Sequence, residues 1–475
     1  MKPLINVNSE IGTLRKLLVH SPDSGLGQVV PSKAQDWLFE DIVHLNTLRR
    51  GEYDYYIKLL LYFLDAEKIK GKLQYIDEPE QDRAFFKPDA SGFHRSDKVI
   101  EVQSLLADIL RNPSIKANLV AAVCAIEGCN YRLQQILSKK DAVKLAKIIL
   151  SGSLDDEHMI FAPIPNLIFT RDLGIVINHF ILLNKPAKKA RGRESMIMRY
   201  IFFNHAIFKD FQETILEIPD PIQHFLRPGE DEEQRATLEG GDVMVVSPQH
   251  VLIGCSERTS PHGANEAVKL LFEHGVVKKI TIVKIPAKRD FMHIDTIFTQ
   301  VKRNVWTLLA SVAKPAPNKD EPLNFFTTPE QQTMEIIQFY SDKSQKPKRF
   351  LSLEELLNDI SKNDLNSTEE TQFIYSGNNI FPFDAREQWT DSCNLLALKE
   401  GVVLGYDRND KTIQAFLEKG FQIKDVATLL KELDCKTLNI NEIKDTLILL
   451  PSAELSRARG GFHCMSLPLL RDHID

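Results

Sequence analysis

Residues 455–468 read LSRARGGFHCMSLP and carry the thiol of Cys464 close to the carboxyl end. Arg457, Arg459 and His463 put positive charge near that thiol. Positive neighbours lower a cysteine pKa and raise its thiolate fraction, so the stretch predicts a nucleophile. The paired Gly460-Gly461 allow a close backbone approach just before it. A cysteine is equally a small apolar core residue, so position alone leaves both roles open. Residues 291–296, FMHIDT, alternate apolar and polar. On a strand, His293 and Asp295 would share one face two residues apart, an acid/base group beside a carboxylate. Residues 238–242, LEGGD, set Glu239 and Asp242 around a glycine pair, and 165–172 carry Asn166 and end on Asp172. Each is an ordinary turn feature by itself. One nucleophile, one histidine and several carboxylates together suit a cationic electrophile. Arginines after apolar hairpins (Arg191, Arg258, Arg408) suit a carboxylate on the same ligand.

Other chemistries lack their residues. The chain has no Cys-x-x-Cys, no His-Glu-x-x-His, no acidic EF-hand loop and no Gly-rich phosphate loop, so neither a metal nor a cofactor is expected. A formal charge of −6 argues against a nucleic-acid partner. Six cysteines in 475 residues form no disulfide framework and fit a reducing compartment. Residues 1–10 have no basic-then-apolar leader, and no run reaches the roughly 18 apolar residues of a membrane span. The expectation is a cytoplasmic protein without membrane contact. Asn366-Ser367-Thr368 is then a chance glycosylation triplet. A homo-oligomer is allowed but not specified.

The elements that must position these residues are legible from periodicity. Residues 12–20 predict a first strand ending at Ser21-Pro22. From about 32 to 152 apolar residues recur at helical spacing, as in Leu60, Leu61, Leu64 and Leu105, Leu106, Ile109, which predicts a helical subdomain inserted after that strand. After 153 the texture becomes hairpin, basic loop, helix. The hairpins are 174–177 with 180–183, 243–246 with 251–253, and 395–398 with 402–404. Three copies of one plan predict a repeat-built α/β fold across 153–475. Residues 314–375 are rich in proline and polar side chains and predict a peripheral insertion of loop with one or two helices.

These segments, in this order, resemble the arginine deiminase family of guanidino-modifying enzymes. The matching stretches are 9–12, 38–42, 165–172, 191–194, 239–242, 257–260, 291–298, 386–394 and 457–468, so the resemblance spans nearly the whole chain. It implies a five-bladed α/β propeller (pentein-type) with a helical insertion near the N-terminus. It implies Cys464 as nucleophile, His293 as general acid/base and Glu239 as the group orienting His293. Asp172 and Asp295 would grip the guanidinium. Asn166, Arg191, Arg258 and Arg459 would hold the amino-acid end of L-arginine. The implied reaction is hydrolysis of L-arginine to L-citrulline and ammonia through a Cys S-alkylthiouronium. An amidinotransferase, a dihydrolase, a hydrolase of modified arginine or a non-catalytic arginine binder would share much of this set. Three places depart from the family pattern: Leu173-Gly174 after Asp172, Phe462-His463 before Cys464, and Ser392-Cys393 in the loop before Asn394. They bear on substrate fit rather than on reaction class.

Overall fold

A computed structural model describes residues 5–474 apart from 24, 35, 40, 79–81, 156–157, 220–234 and 314–333. Short apolar runs pair across tight turns, and a third strand returns parallel to the second after a longer connection. Ile175–Ile177 lies antiparallel to Phe180–Leu182, which runs parallel to Ile215–Leu216 beyond the helix Gly192–Asn204. Val243–Ser247, His250–Cys255 and Lys279–Lys284 repeat the plan around the helix Pro261–Glu273. That crossover helix starts where Ser260 accepts from the Gly263 amide with Pro261 at its first position, and it buries Ala264, Ala267 and Leu271. Leu396–Lys399, Val402–Tyr406 and Thr446–Leu450 form another copy, with Gln422–Asp425 added at the edge. Parallel neighbours need such crossovers, whereas the antiparallel pairs need only a turn.

Two further copies were not foreseen. Phe298–Lys302 and Val305–Leu308 form a hairpin whose second strand runs parallel to Gln372–Tyr375. Its apolar signal is broken by Thr299, Gln300 and Thr307, which are buried polar residues. The last copy joins the two chain ends: Leu467–Arg471 is antiparallel to Leu14–Val19, which is parallel to Val99–Glu101. Among the described residues there are thus five sheets, each holding one antiparallel-then-parallel triplet, and the fold is α/β.

Two expected boundaries shift. The helical stretch 32–152 is divided by Val99–Glu101, a strand too short to interrupt a helical period visibly. Asp54–Leu64 is that triplet's own helix, and the helices Val102–Ile109, Pro113–Ile126, Tyr131–Ser138 and Ala142–Ser151 follow the strand. Within 314–375, residues 314–333 lie outside the described part. The remainder is not loop with helix alone. Glu335–Tyr340 and Lys348–Phe350 widen the sheet of Lys279–Lys284, and only Leu353–Asp359 is α-helix. In Glu335–Tyr340, Ile336 and Gln338 are buried between more accessible neighbours, which a composition reading of a polar segment misses. No helix among the described residues is long and apolar enough to cross a membrane.

Candidate active site

Each of the five triplets is preceded by a short irregular turn, and every candidate residue of the reacting centre sits in one of them. Asp172 precedes Ile175–Ile177, Glu239 precedes Val243–Ser247, and His293 and Asp295 precede Phe298–Lys302. Asn394 precedes Leu396–Lys399, and Cys464 precedes Leu467–Arg471. Hydrogen bonds join these turns in a closed circuit. The Gly241 amide donates to Asp172 Oδ1 (2.9 Å), the Ile294 amide to Asp242 Oδ1 (3.0 Å), and Asn394 Nδ2 to the Asp295 carbonyl (3.1 Å). The Cys464 amide donates to Asn394 Oδ1 (2.9 Å), and the Arg171 amide closes the ring on the Cys464 carbonyl (2.9 Å). Glycine is required where the turns crowd together: a Cβ on Gly461 would lie 2.5 Å from the Asn394 carbonyl oxygen, and one on Gly241 2.5 Å from His293 Nδ1.

Eight of the nine expected residues, Asn166, Asp172, Arg191, Glu239, Arg258, His293, Arg459 and Cys464, line one cavity. The ninth, Asp295, accepts a hydrogen bond from Cys464 Sγ (3.5 Å) on its Oδ2. His293 Nε2 lies 3.1 Å from Glu239 Oε2, whose Oε1 is held by the Ala187 amide. Arg258 is buried. Its Nε makes no hydrogen bond among the described residues, and Glu257 is 3.8 Å away. Arg459, at a left-handed φ of 60°, lies flat against Trp389 with its guanidinium carbon 3.3 Å from the ring centre. Asn166 Nδ2 donates to the Trp37 carbonyl.

Arg191 is more engaged than the sequence suggests. It donates from Nη1 to Asp172 Oδ2 (2.7 Å) and Glu239 Oε2 (3.4 Å), and from Nε to Glu194 Oε2 (2.9 Å). Its Nη2 makes no hydrogen bond among the described residues. Asp172, Glu239 and His293 also have donor atoms within 4.8 Å of one another, the spacing of a metal site that no sequence motif signals. The Arg191 guanidinium already pairs with two of these carboxylates.

The electrostatics run against the lowered thiol pKa expected from the neighbouring residues. Burial pushes the Cys464 thiol well above its ordinary range, and Asp295, Asp172 and Asp391 push it the same way. Two of the three positive neighbours read from the sequence point elsewhere, while Arg459 lines the cavity. Arg457 is an exposed partner of Asp41 (2.8 Å), and His463 faces Asp295 and Glu10. Burial works against a charged His293, but Asp172, Glu239 and Asp242 outweigh it and raise its pKa. Burial also works against an ionised Glu239, yet His293 and Arg191 hold it below the ordinary carboxylate range.

Further expectations change in detail. Residues 291–296 are not a strand. His293 is extended, and Ile294–Thr296 makes a 3-10 turn whose Ile294 amide is held by Asp242, so His293 and Asp295 serve different partners. Arg408 donates to Ser456 Oγ and does not line the cavity. Of the departures, Leu173 is core, Phe462 is wedged between Tyr56 and Tyr406, and Ser392 pairs with Ser376. Cys393 is buried away from the cavity, and burial pushes its thiol up to about 12. Roles not assigned from the sequence fall to Glu10, Arg171, Glu194, Asp242, Asp391 and Asn394. Burial raises Asp242 to about 6 and Asp391 to about 7, the latter against the pull of Arg459. All six lie inside the matching segments, and Asp242 was already visible as a carboxylate beside the glycine pair.

A family model described as arginine deiminase matches residues 130–471. The chain belongs to the arginine deiminase family. It is therefore a hydrolase of the kind that acts on carbon–nitrogen bonds of amidines. Arginine deiminases from two strains of Staphylococcus aureus, MRSA252 and JH9, are each 28% identical over 494 residues, covering 99% of this chain and 99% of the relative. Among solved structures, an amidinotransferase from Microseira wollei of the saxitoxin biosynthetic pathway matches with a TM-score of 0.47 at 14% identity, covering 99% of this chain and 98% of the other. A dimethylarginine dimethylaminohydrolase from Pseudomonas aeruginosa complexed with citrulline gives a TM-score of 0.35 at 16% identity, over 64% of this chain and 76% of that one.

Proposed function

We propose that this arginine deiminase family member hydrolyses free L-arginine to L-citrulline and ammonia in the cytoplasm, on a five-bladed propeller whose blades are the five triplets. The helices of 102–151 are read as the insertion. The circuit of hydrogen bonds between the turns supports a closed ring. The observation that carries the reaction is a buried thiol facing carboxylates in a cavity shared with His293 and four arginines.

A guanidinium bound between Asp172 and Asp295 brings the positive charge that the thiol otherwise lacks, so substrate binding itself favours the thiolate. Arg258, Arg459, Asn166 and the open Nη2 of Arg191 receive the substrate carboxylate at the other end. Cys464 Sγ attacks the guanidinium carbon and gives a tetrahedral adduct. His293, kept charged by Glu239 and Asp172, protonates the departing nitrogen. Ammonia leaves and an S-alkylthiouronium remains. The now neutral His293 takes a proton from water, whose oxygen adds to the same carbon. Collapse of the second adduct forms the ureido C=O and breaks the C–S bond, the hydroxyl proton passes to the departing sulfur of Cys464, and citrulline is released. Alignment by the arginines supplies much of the acceleration.

The test is a colorimetric ureido-product assay on L-arginine, methylated arginines, guanidinoacetate and agmatine. The reading predicts citrulline and ammonia in equal amounts from L-arginine. It also predicts no turnover but retained arginine binding in Cys464→Ala. Near-normal turnover by that variant refutes the nucleophile.

A further inference from the structure

The residue before the thiol, His463, is fully enclosed and has no part in the reaction described above. Its ring lies between two carboxylates. Nδ1 is 2.8 Å from Asp295 Oδ2, and Nε2 is 3.2 Å from Glu10 Oε2. Asp295 Oδ2 is the same oxygen that accepts from Cys464 Sγ, while Oδ1 makes no hydrogen bond among the described residues. Glu10 comes from the other end of the chain. It is fixed by the Val245 amide (3.2 Å) and by Arg171 (3.8 Å), and it does not line the cavity.

We propose that His463 is a positioning residue that acts through Asp295: anchored from behind by Glu10, it fixes the carboxylate facing Cys464 and leaves Oδ1 for the substrate guanidinium. The inference rests on the arginine-hydrolysing reading for what Asp295 grips, but not for the geometry.

The chemistry of the three groups supports it. Ionised carboxylates only accept hydrogen bonds, so a ring serving two of them donates from both nitrogens. Burial opposes ionisation of both acids. Arg171 and His463 nevertheless bring Glu10 down to about 2, and His463 first among the favourable causes holds Asp295 below its ordinary range. Without the ring, a fully buried Asp295 would take up a proton or turn toward another donor, and either would spoil a guanidinium clamp. The backbone is braced as well: the His463 amide donates to the Asn394 carbonyl (3.4 Å), and Arg171 Nε donates to the His463 carbonyl (3.2 Å). The strut therefore belongs to the same circuit as the thiol.

Two full-length variants and one spectrum test this. Steady-state kinetics on L-arginine should show His463→Gln with KM raised and kcat lowered, the product of the two effects being about 100-fold or more, because misplacing a reacting group by about 1 Å costs that much. Glu10→Gln keeps the shape and removes the rear anchor, so it should fall between His463→Gln and wild type. It also carries the test if His463→Gln does not fold. A purely structural role lowers the folded fraction and hence kcat per total enzyme while KM stays put, and that result overturns the proposal. The spectrum is ¹⁵N-histidine NMR of the wild type, with the His463 signals assigned by their loss in His463→Gln. Each ring nitrogen should report a hydrogen bond to its carboxylate, and a ring nitrogen without one overturns the proposal whatever the substrate. Both bonds present in an enzyme that turns over no guanidine would sink the arginine reading and leave the strut standing.

Discussion

Replacing Arg258 with Ala removes a cation that the fold holds for little internal benefit. The guanidinium is buried, its Nε has no hydrogen bond among the described residues, and its nearest carboxylate, on Glu257, stands 3.8 Å away. Stability should therefore change little, since few favourable pairings are lost. Substrate use should change a great deal. Truncating one partner of a buried, hydrogen-bonded charge pair costs about 2–5 kcal/mol, which at about 1.4 kcal/mol per tenfold lowers kcat/KM for L-arginine about 30- to 4,000-fold. The loss should depend on the substrate carboxylate. Agmatine keeps the guanidinium and lacks that group, so its kcat/KM should move by less than about threefold. Measuring ureido product from both substrates with both enzymes closes the comparison. An equal loss on the two substrates would mean that Arg258 supports the reacting centre rather than the carboxylate. An unchanged value on arginine would remove it from the site.

Asp295→Asn removes a negative charge that pushes the Cys464 thiol upward, so alkylation by iodoacetamide at neutral pH should accelerate; a slower reaction would contradict the carboxylate-facing thiol. Gly461→Ala places a methyl 2.5 Å from the Asn394 carbonyl, so urea melts should show a loss of about 1–3 kcal/mol together with reduced turnover. A neutral effect on both would show that the turn can give way. His293 titrates higher in the folded chain than in the unfolded one. Its contribution to stability is thus complete below its unfolded pKa of about 6.5 and is lost as the pH rises through the raised folded value. Melting temperatures should fall across that alkaline range, less so in His293→Gln, and an identical fall in both would detach it from His293. A strong chelator should leave turnover intact, and a loss restored by zinc would assign a metal to Asp172, Glu239 and His293.

Much of this was legible because the chemistry sits in short segments with an order of their own. Asp172 and Glu239 each precede an apolar hairpin, so the repeat visible in periodicity also marks where these two stand, whereas His293 and Cys464 precede strands that it did not reveal. What was not legible depends on distant partners. The charge around Cys464 could not be read from its neighbours in sequence: Arg457 turns out to Asp41, while Asp295, Asp172 and Asp391 arrive from three other turns. The triplet formed by Leu14–Val19, Val99–Glu101 and Leu467–Arg471 draws on both chain ends, and no local pattern announces it. The hairpin around Arg303-Asn304 hid behind buried Thr299, Gln300 and Thr307, polar residues that a hydrophobic pattern discounts.

The most direct test of the account is mass spectrometry of the enzyme quenched in acid during turnover of L-arginine. The account predicts a peptide containing Cys464 that carries the mass of arginine less ammonia, absent from Cys464→Ala. Steady production of citrulline while Cys464 stays unmodified, or an adduct on another residue, would contradict it.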